Sequence, residues 1–213
     1  MAGPDPRSSG GRVAVARDLA GVIEALHAIG AVQFGEFRLK SGLVSPVYVD
    51  LRLLASYPAV LRDVAHHMAE VAGTLAFDRI AAIPLGGMPI GTALSLEMDR
   101  PMIYPRPEVK DHGRRRAVEG TYNPGETALV VDDLISTGGS KIEAIAPLLA
   151  EGLQVRDVLV VIDREQGGKE ELARNGLTLH ALASLTQVLE ALASMGRVSQ
   201  EQAAQVRRYL QGS

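Results

Sequence analysis

Thr127-Ala-Leu-Val-Val-Asp-Asp-Leu-Ile-Ser-Thr-Gly-Gly-Ser140 is the stretch that decides the fold. Ala128 to Val131 is a short apolar run with two β-branched valines, the pattern of a strand buried on both faces. It ends in two acids, Asp132 and Asp133, where the strand is expected to stop. A loop of small residues follows, Ser136, Thr137, Gly138, Gly139 and Ser140, and then a helical stretch. Strand, acids, glycine-rich turn and helix in that order place a ligand site at the carboxyl edge of a parallel sheet. The loop offers several backbone N–H groups and three hydroxyls at a helix N-terminus, which suits a phosphate. The two carboxylates would repel that phosphate. They suit hydroxyl groups, or a cation, on the same ligand. A phosphate on one side and vicinal hydroxyls on the other describe a ribose 5-phosphate.

Two aspartates at a strand end also serve as turn and cap residues, and Ser, Thr and Gly are ordinary loop composition. The full order of parts is more specific than either half. It differs from a Walker A loop, since no Gly-Lys-Ser/Thr follows, and from a dinucleotide GxGxxG.

Outward from this stretch, strands and helices alternate from Arg79 onward, so the fold is expected to be α/β with a mostly parallel sheet. Arg79 to Pro84, Met102 to Tyr104, Val155 to Ile162 and Leu177 to Ala183 read as strands. Helices are expected from Leu19 to Ile29, from Ser56 to Gly73, up to about Met98, through Ile142 to Leu149, from Leu185 to Met195, and to about Leu210. Ser199 with Gln202 makes a capping box for the last of these. Pro147 lies inside its helix, where a proline costs on the order of 3 kcal/mol, so a kink or a late helix start is expected there. Phe34 to Lys40 and Val44 to Leu51, the second interrupted by Pro46, read as a small cap apart from the main sheet. His27, His66 and His67 read as structural; adjacent His66 and His67 lack the i, i+4 spacing of a paired metal site.

The chain has 213 residues, which suggests one domain, and an ordinary globular composition of 46% apolar and 22% charged residues. We expect residues 1–12, rich in Pro, Gly and Ser, to be a disordered tail and residues 13–213 to be a single domain. A net charge of −3 argues against a general nucleic-acid binder. No cysteine is present, so disulfides and thiolate metal sites are excluded. No apolar run reaches membrane-spanning length and no signal-peptide core follows the start, so a cytoplasmic location is expected. Against this background Arg106 to Arg116 stands out, with five basic and two acidic residues and no apolar period. Such a run is either a solvated surface loop or a mobile cationic loop that meets an anionic ligand.

The central stretch resembles the phosphoribosyl-diphosphate (PRPP) signature of the type I phosphoribosyltransferases, in particular those that act on orotate. Four further stretches carry the resemblance: Phe34 to Gly42, Ser45-Pro46, Lys110-Asp111-His112-Gly113, and Asp163-Arg164-Glu165-Gln166-Gly167-Gly168. It runs from about Phe34 to Leu210. It implies a type I phosphoribosyltransferase-like fold, α/β with helices flanking the sheet and a small N-terminal hood at about residues 31–55. It also implies transfer of ribose 5-phosphate from PRPP to orotate, giving orotidine 5′-monophosphate and pyrophosphate. Mg²⁺ would ride on the PRPP diphosphate with no direct protein ligand, and a homodimer would carry the catalytic loop across to the neighbouring subunit. By resemblance Lys40, the Gly86 loop, Arg106, Lys110 and His112 contact PRPP, and Asp132 and Asp133 hold the ribose hydroxyls. Ser136, Thr137, Gly138, Gly139 and Ser140 anchor the 5-phosphate. Tyr48, Ser136 and Arg164 meet orotate. Lys110, His112, Asp132 and Asp133 are the implied catalytic groups. Two positions depart from the family: Gly86 stands where some members carry a lysine, and Pro107 where many carry a second one. Two alternatives stay open, a phosphoribosyltransferase for another base and a non-catalytic PRPP- or nucleotide-binding regulator on the same fold.

Overall fold

The computed structural model describes residues 18–38, 42, 44–106 and 117–212. The expected tail at residues 1–12 lies outside them. The elements run in the order α1 Leu19–Ala28, β1 Val32–Arg38, β2 Val44–Val49, a 3₁₀ turn Leu51–Ser56, α2 Pro58–Ala72, β3 Arg79–Ala82, α3 Gly87–Met98, β4 Met102–Pro105 and β5 Val118–Glu119. They continue with β6 Thr127–Ile135, α4 Gly139–Ala150, β7 Gln154–Asp163, α5 Gly168–Arg174, β8 Thr178–Ser184, α6 Leu185–Ser194 and α7 Gln200–Gln211.

Six strands form one sheet in the order β5-β4-β3-β6-β7-β8. Every neighbouring pair is parallel except β4 with β5. The apolar run that opens β6 explains its central place. Leu129 and Val131 join one buried cluster with helices α1, α2, α3, α6 and α7, while Ala128 and Val130 join a second one with α4 and α5. Side chains alternate along a strand, so a strand roofed by helices on both sides must be apolar at every position. Each fully buried Val or Leu contributes about 1.5–3 kcal/mol, and these two layers hold the sheet.

The strands β1 and β2 pair with each other, Val32 opposite Val49 and Phe34 opposite Val47, and form a separate two-stranded sheet. Two boundaries differ from expectation here. The strand β2 stops at Val49, because Asp50 turns the chain and its carboxylate accepts from the Arg52 N–H at 3.2 Å. The helix α2 begins at Pro58 rather than Ser56, since proline at the first helical position has the right φ and no donor to waste.

The helix α4 starts at Gly139 and runs unbroken in its assignment through Pro147 to Ala150, so the late start expected at the proline does not occur. Pro147 deprives the Glu143 carbonyl of its i+4 donor, and Glu143 is exposed to solvent, which can supply one. The capping box at Ser199 and Gln202 forms as read. A second one at Ser184 and Gln187 was passed over. The two-residue β5 and the seven-residue α5 are too short to show a period, and neither was anticipated. The three histidines read as structural are each engaged within the fold: His27 Nδ1 lies 2.8 Å from the Val32 carbonyl, and His66 and His67 pair with Glu97 and Glu70, each at 2.9 Å.

Candidate active site

The strand β6 does not stop at its acids. It pairs with β7 through Asp132–Val160, Leu134–Ile162 and Ile135–Asp163, so both acids are strand residues near its carboxyl end. This corrects the expected boundary and makes the two acids unequal. Consecutive strand residues face opposite sides of the sheet. Asp132 follows the parity of Val130, toward α4, and Asp133 that of Val131, toward α3 and the hood.

On the α4 side, Asp132 is only 4% exposed. Its Oδ1 accepts from the Asp133 N–H at 2.8 Å, and its Oδ2 is ion-paired with Lys141 Nζ. Burial, aided by the negative charge of Asp133, pushes the Asp132 carboxyl up to about 6 against the opposing pull of Lys141. On the other side, Asp133 Oδ1 accepts from the Leu134 N–H at 2.7 Å, while Oδ2 points at Gly86. Both acids line a cleft of about 500 Å³ together with Ile83, Gly86, Arg106, Ser140 and Lys141.

Gly86 and Gly87 are explained by close approach. A Cβ on Gly86 would lie 2.5 Å from Asp133 Oδ2, and one on Gly87 would lie 2.6 Å from the Val131 carbonyl oxygen. The Gly87 N–H donates to the Ile83 carbonyl at 3.0 Å. The missing lysine at position 86 has a local cause in this chain: any side chain there meets the Asp133 carboxylate. Gly86→Ala should therefore lower kcat/KM at least about tenfold by swinging that carboxylate aside, since misplacements of about 1 Å can cost a hundredfold. Steady-state kinetics beside a melting curve checks this, and full activity in a well-folded Gly86→Ala would show that Asp133 tolerates the shift.

The small-residue loop between β6 and α4 turns at Gly138, whose φ of +88° lies in the left-handed region that favours glycine. Its carbonyl accepts from the Lys141 N–H at 2.9 Å, closing the first turn of α4. Gly139 has open space around it, as a ligand-facing backbone requires. The loop rests on α5, where a Cβ on Gly168 would lie 2.6 Å from the Ser136 carbonyl oxygen. The last glycine of the Asp163–Gly168 stretch thus supports the loop from below. Ser136, Thr137 and Gly138 join the central strand to α4, and Gly139 and Ser140 are the first two residues of that helix.

Arg164 follows β7, and its N–H donates to the Ile135 carbonyl at 2.9 Å, which sets it beside the end of β6. Its neighbours are already engaged. Asp163 Oδ1 accepts from the Glu165 N–H at 2.8 Å, and Glu165 Oε2 accepts from the Thr186 N–H at 2.7 Å at the start of α6. Among the described residues Arg164 Nε is buried with no hydrogen-bond partner. The ion pair with Asp163 or Glu165 that would make Arg164 purely structural is therefore absent there.

Arg106, at the end of β4, pairs with Glu119 of β5, and its N–H donates to the Ala117 carbonyl at 2.8 Å. It lines the cleft but is held by an acid of its own sheet. Tyr48 on β2 stacks on Phe37 with ring centroids 5.5 Å apart and is 37% exposed. Arg52 in the adjoining turn is held above its ordinary pKa chiefly by hydrogen bonding to and the charge of Asp50, with smaller contributions from Tyr48 and Asp133. Lys40, Lys110 and His112 lie outside the described residues, as do Pro107 and Arg114 to Arg116. The sequence reading missed Lys141, which follows the small-residue loop as an unremarkable helix lysine.

Among the described residues no group of three or more His, Asp or Glu is arranged to hold a metal. Mg²⁺ commonly keeps its waters and takes substrate phosphates as ligands, and the carboxylates of Asp132 and Asp133 at the cleft are oxygen donors compatible with such an ion.

A mostly parallel sheet whose central strand carries two acids into a cleft beside a small-residue loop, with a separate N-terminal pair of antiparallel strands, defines the type I phosphoribosyltransferase fold. Residues 53–180 match the family described as phosphoribosyl transferase domain. The chain is 40% identical over 177 residues to an orotate phosphoribosyltransferase of Cenarchaeum symbiosum, covering 81% of this chain and 88% of that one. It is 41% identical over 181 residues to the bifunctional enzyme PyrF/PyrE of a Nostoc species, covering 85% of this chain and 38% of that one. Among solved structures it resembles the UMP synthase of Leishmania donovani with a TM-score of 0.83 and 40% identity, covering 91% of this chain and 42% of that one. The chain thus spans about two fifths of the length of the two larger proteins. It belongs to the orotate phosphoribosyltransferase family.

Proposed function

We propose that this chain transfers ribose 5-phosphate from PRPP to orotate, forming orotidine 5′-monophosphate and pyrophosphate, a step of pyrimidine nucleotide synthesis. The observation that carries the choice of base is Arg164, a buried guanidinium nitrogen without a partner beside the end of β6. A buried donor left unmet is costly, and the planar fork suits the carboxylate or imide edge of orotate. Tyr48 and Ser136 are the proposed companions on the base.

Breaking the anomeric C–O bond leaves positive charge on the ribose ring and negative charge on pyrophosphate. Asp133, with one carboxylate oxygen turned to the cleft, is placed to hold a ribose hydroxyl and to favour the ring cation. Asp132 supports it from the buried side. The loop from Ser136 to Ser140 takes the 5-phosphate. Arg106, on leaving Glu119, joins Lys110 and Lys40 against the diphosphate, and His112 either adds to them or donates a proton. Bound Mg²⁺ supplies further neutralisation of the leaving diphosphate. The proposal includes a homodimer. No helix among the described residues is long and apolar enough to cross a membrane.

Loss of orotate absorbance with PRPP and Mg²⁺ tests the reading, run beside a Lys110→Ala control. Mg²⁺-dependent conversion that is lost in the control is the expected result. PRPP binding without conversion would sink the proposed base and leave another acceptor or a non-catalytic binder. Light scattering on the same sample checks the assembly, and an active monomer would remove the dimer.

A further inference from the structure

We propose that Lys141 is a positioning residue, which ties the ribose-facing acids to the phosphate loop and keeps Asp132 in its ionised, cleft-lining place. The inference rests on the PRPP-binding reading above and concerns a residue that the motif itself does not single out. Lys141 is a lysine only 7% exposed, and its ammonium is committed to a carboxylate that is 4% exposed. Its backbone N–H meanwhile bonds the Gly138 carbonyl. One residue therefore joins β6 by its side chain to the first turn of α4 by its backbone. The distance between the acids that face ribose and the loop that faces its 5-phosphate passes through this link.

The charge balance makes the link necessary. Asp132 sits next to a second carboxylate, Asp133, in a poorly solvated place. Among the described residues the other groups around it supply no second cation. The start of α3 presents only Gly87, whose Cβ would lie 3.1 Å from Asp132 Oδ1. From α4, Glu143 also lines the cleft and adds negative charge, while Arg106 on the β4 side is engaged by Glu119. Lys141 is thus the cation bonded to Asp132 among the described residues. Without it the buried carboxylate would take up a proton or move, and removing one partner of a buried pair is strongly disruptive. The sign follows: Lys141 draws the Asp132 pKa down against burial and Asp133. Its loss raises that pKa further, and the ionised form then persists only at higher pH.

The experiment follows PRPP binding calorimetrically in the presence of Mg²⁺, and turnover where it occurs, from about pH 5 to pH 9. It compares the wild type, Lys141→Met, Lys141→Arg, Asp132→Asn and the double variant Asp132→Asn/Lys141→Met. For Lys141→Met the expected result is PRPP affinity reduced about tenfold or more at pH 7, an acidic limb moved to higher pH, and rescue of most of the loss by Lys141→Arg. In the Asp132→Asn background, where no buried charge needs the ammonium, Lys141→Met should cost less than about twofold. Equal costs in the two backgrounds, or an unmoved limb with wild-type affinity in Lys141→Met, would overturn the proposal. If Lys141→Met does not fold, the double variant decides: its failure to fold as well would mean that Lys141 serves α4 rather than Asp132. A wild type that does not bind PRPP would instead defeat the underlying reading of the site.

Discussion

Asp133→Asn is expected to lower kcat by about a hundredfold or more while leaving the fold intact, a loss of the size seen when one preorganised electrostatic group is removed. Asp133 is the acid with a carboxylate oxygen left over, since its Oδ1 is used by the Leu134 N–H and its Oδ2 faces Gly86 at the cleft. An asparagine keeps an oxygen for the backbone N–H, so the strand end survives. It removes the negative charge that a cationic ribose ring requires. A second signature separates this role from a general loss of order. Asp133 contributes to the raised pKa of Asp132, so neutralising it should let Asp132 ionise more easily and move the acidic limb of any residual activity to lower pH. That is opposite to the shift expected for Lys141→Met. Kinetics across pH reads both, and unchanged kcat and KM in Asp133→Asn would remove the residue from the mechanism.

Arg164→Met is expected to raise the orotate KM about a hundredfold while the PRPP KM stays within about threefold. Charge-assisted hydrogen bonds to a guanidinium are worth roughly 1.5–3 kcal/mol each, and about 2.8 kcal/mol corresponds to that factor. In the free protein Arg164 Nε is buried without a partner, and its two acidic neighbours are spent on backbone N–H groups. Removing the guanidinium therefore relieves an unmet donor, and the melting temperature should hold or rise rather than fall. Arg164→Lys should restore only part of the binding, because an ammonium lacks the planar fork. Equal effects on both substrates, or none on orotate, would show that Arg164 does not read the base.

Much of this site was legible because local chemistry wrote it. The run from Ala128 to Val131 reads as a strand covered on both faces, and with Ser136 to Ser140 after it the order of parts reads as a strand turning into a helix. The pair Ser199 and Gln202 marks the start of the last helix through a reciprocal cap, whereas the start of α2 at Pro58 was read two residues early. The short β5 and α5 were invisible because neither is long enough to display a period. The extra length of β6 was hidden because aspartate is a poor strand former, and pairing with β7 overrides that preference.

The amino-acid sequence by itself determined the class of fold, the central strand and the small-residue loop that follows it, and it named the residues proposed to meet a phosphate, a ribose and an acidic base. Tertiary structure alone decided how those residues differ from one another. Asp132 and Asp133 are identical in chemistry and adjacent in the chain. Both line the cleft, but one is buried against Lys141 and the other turns a carboxylate oxygen toward Gly86, because successive strand residues face opposite layers of the molecule. Gly86 had no explanation until Asp133 was seen to fill the space where its side chain would stand. Contacts of this kind join residues tens of positions apart, so they follow from how the layers pack and from no local pattern in the chain.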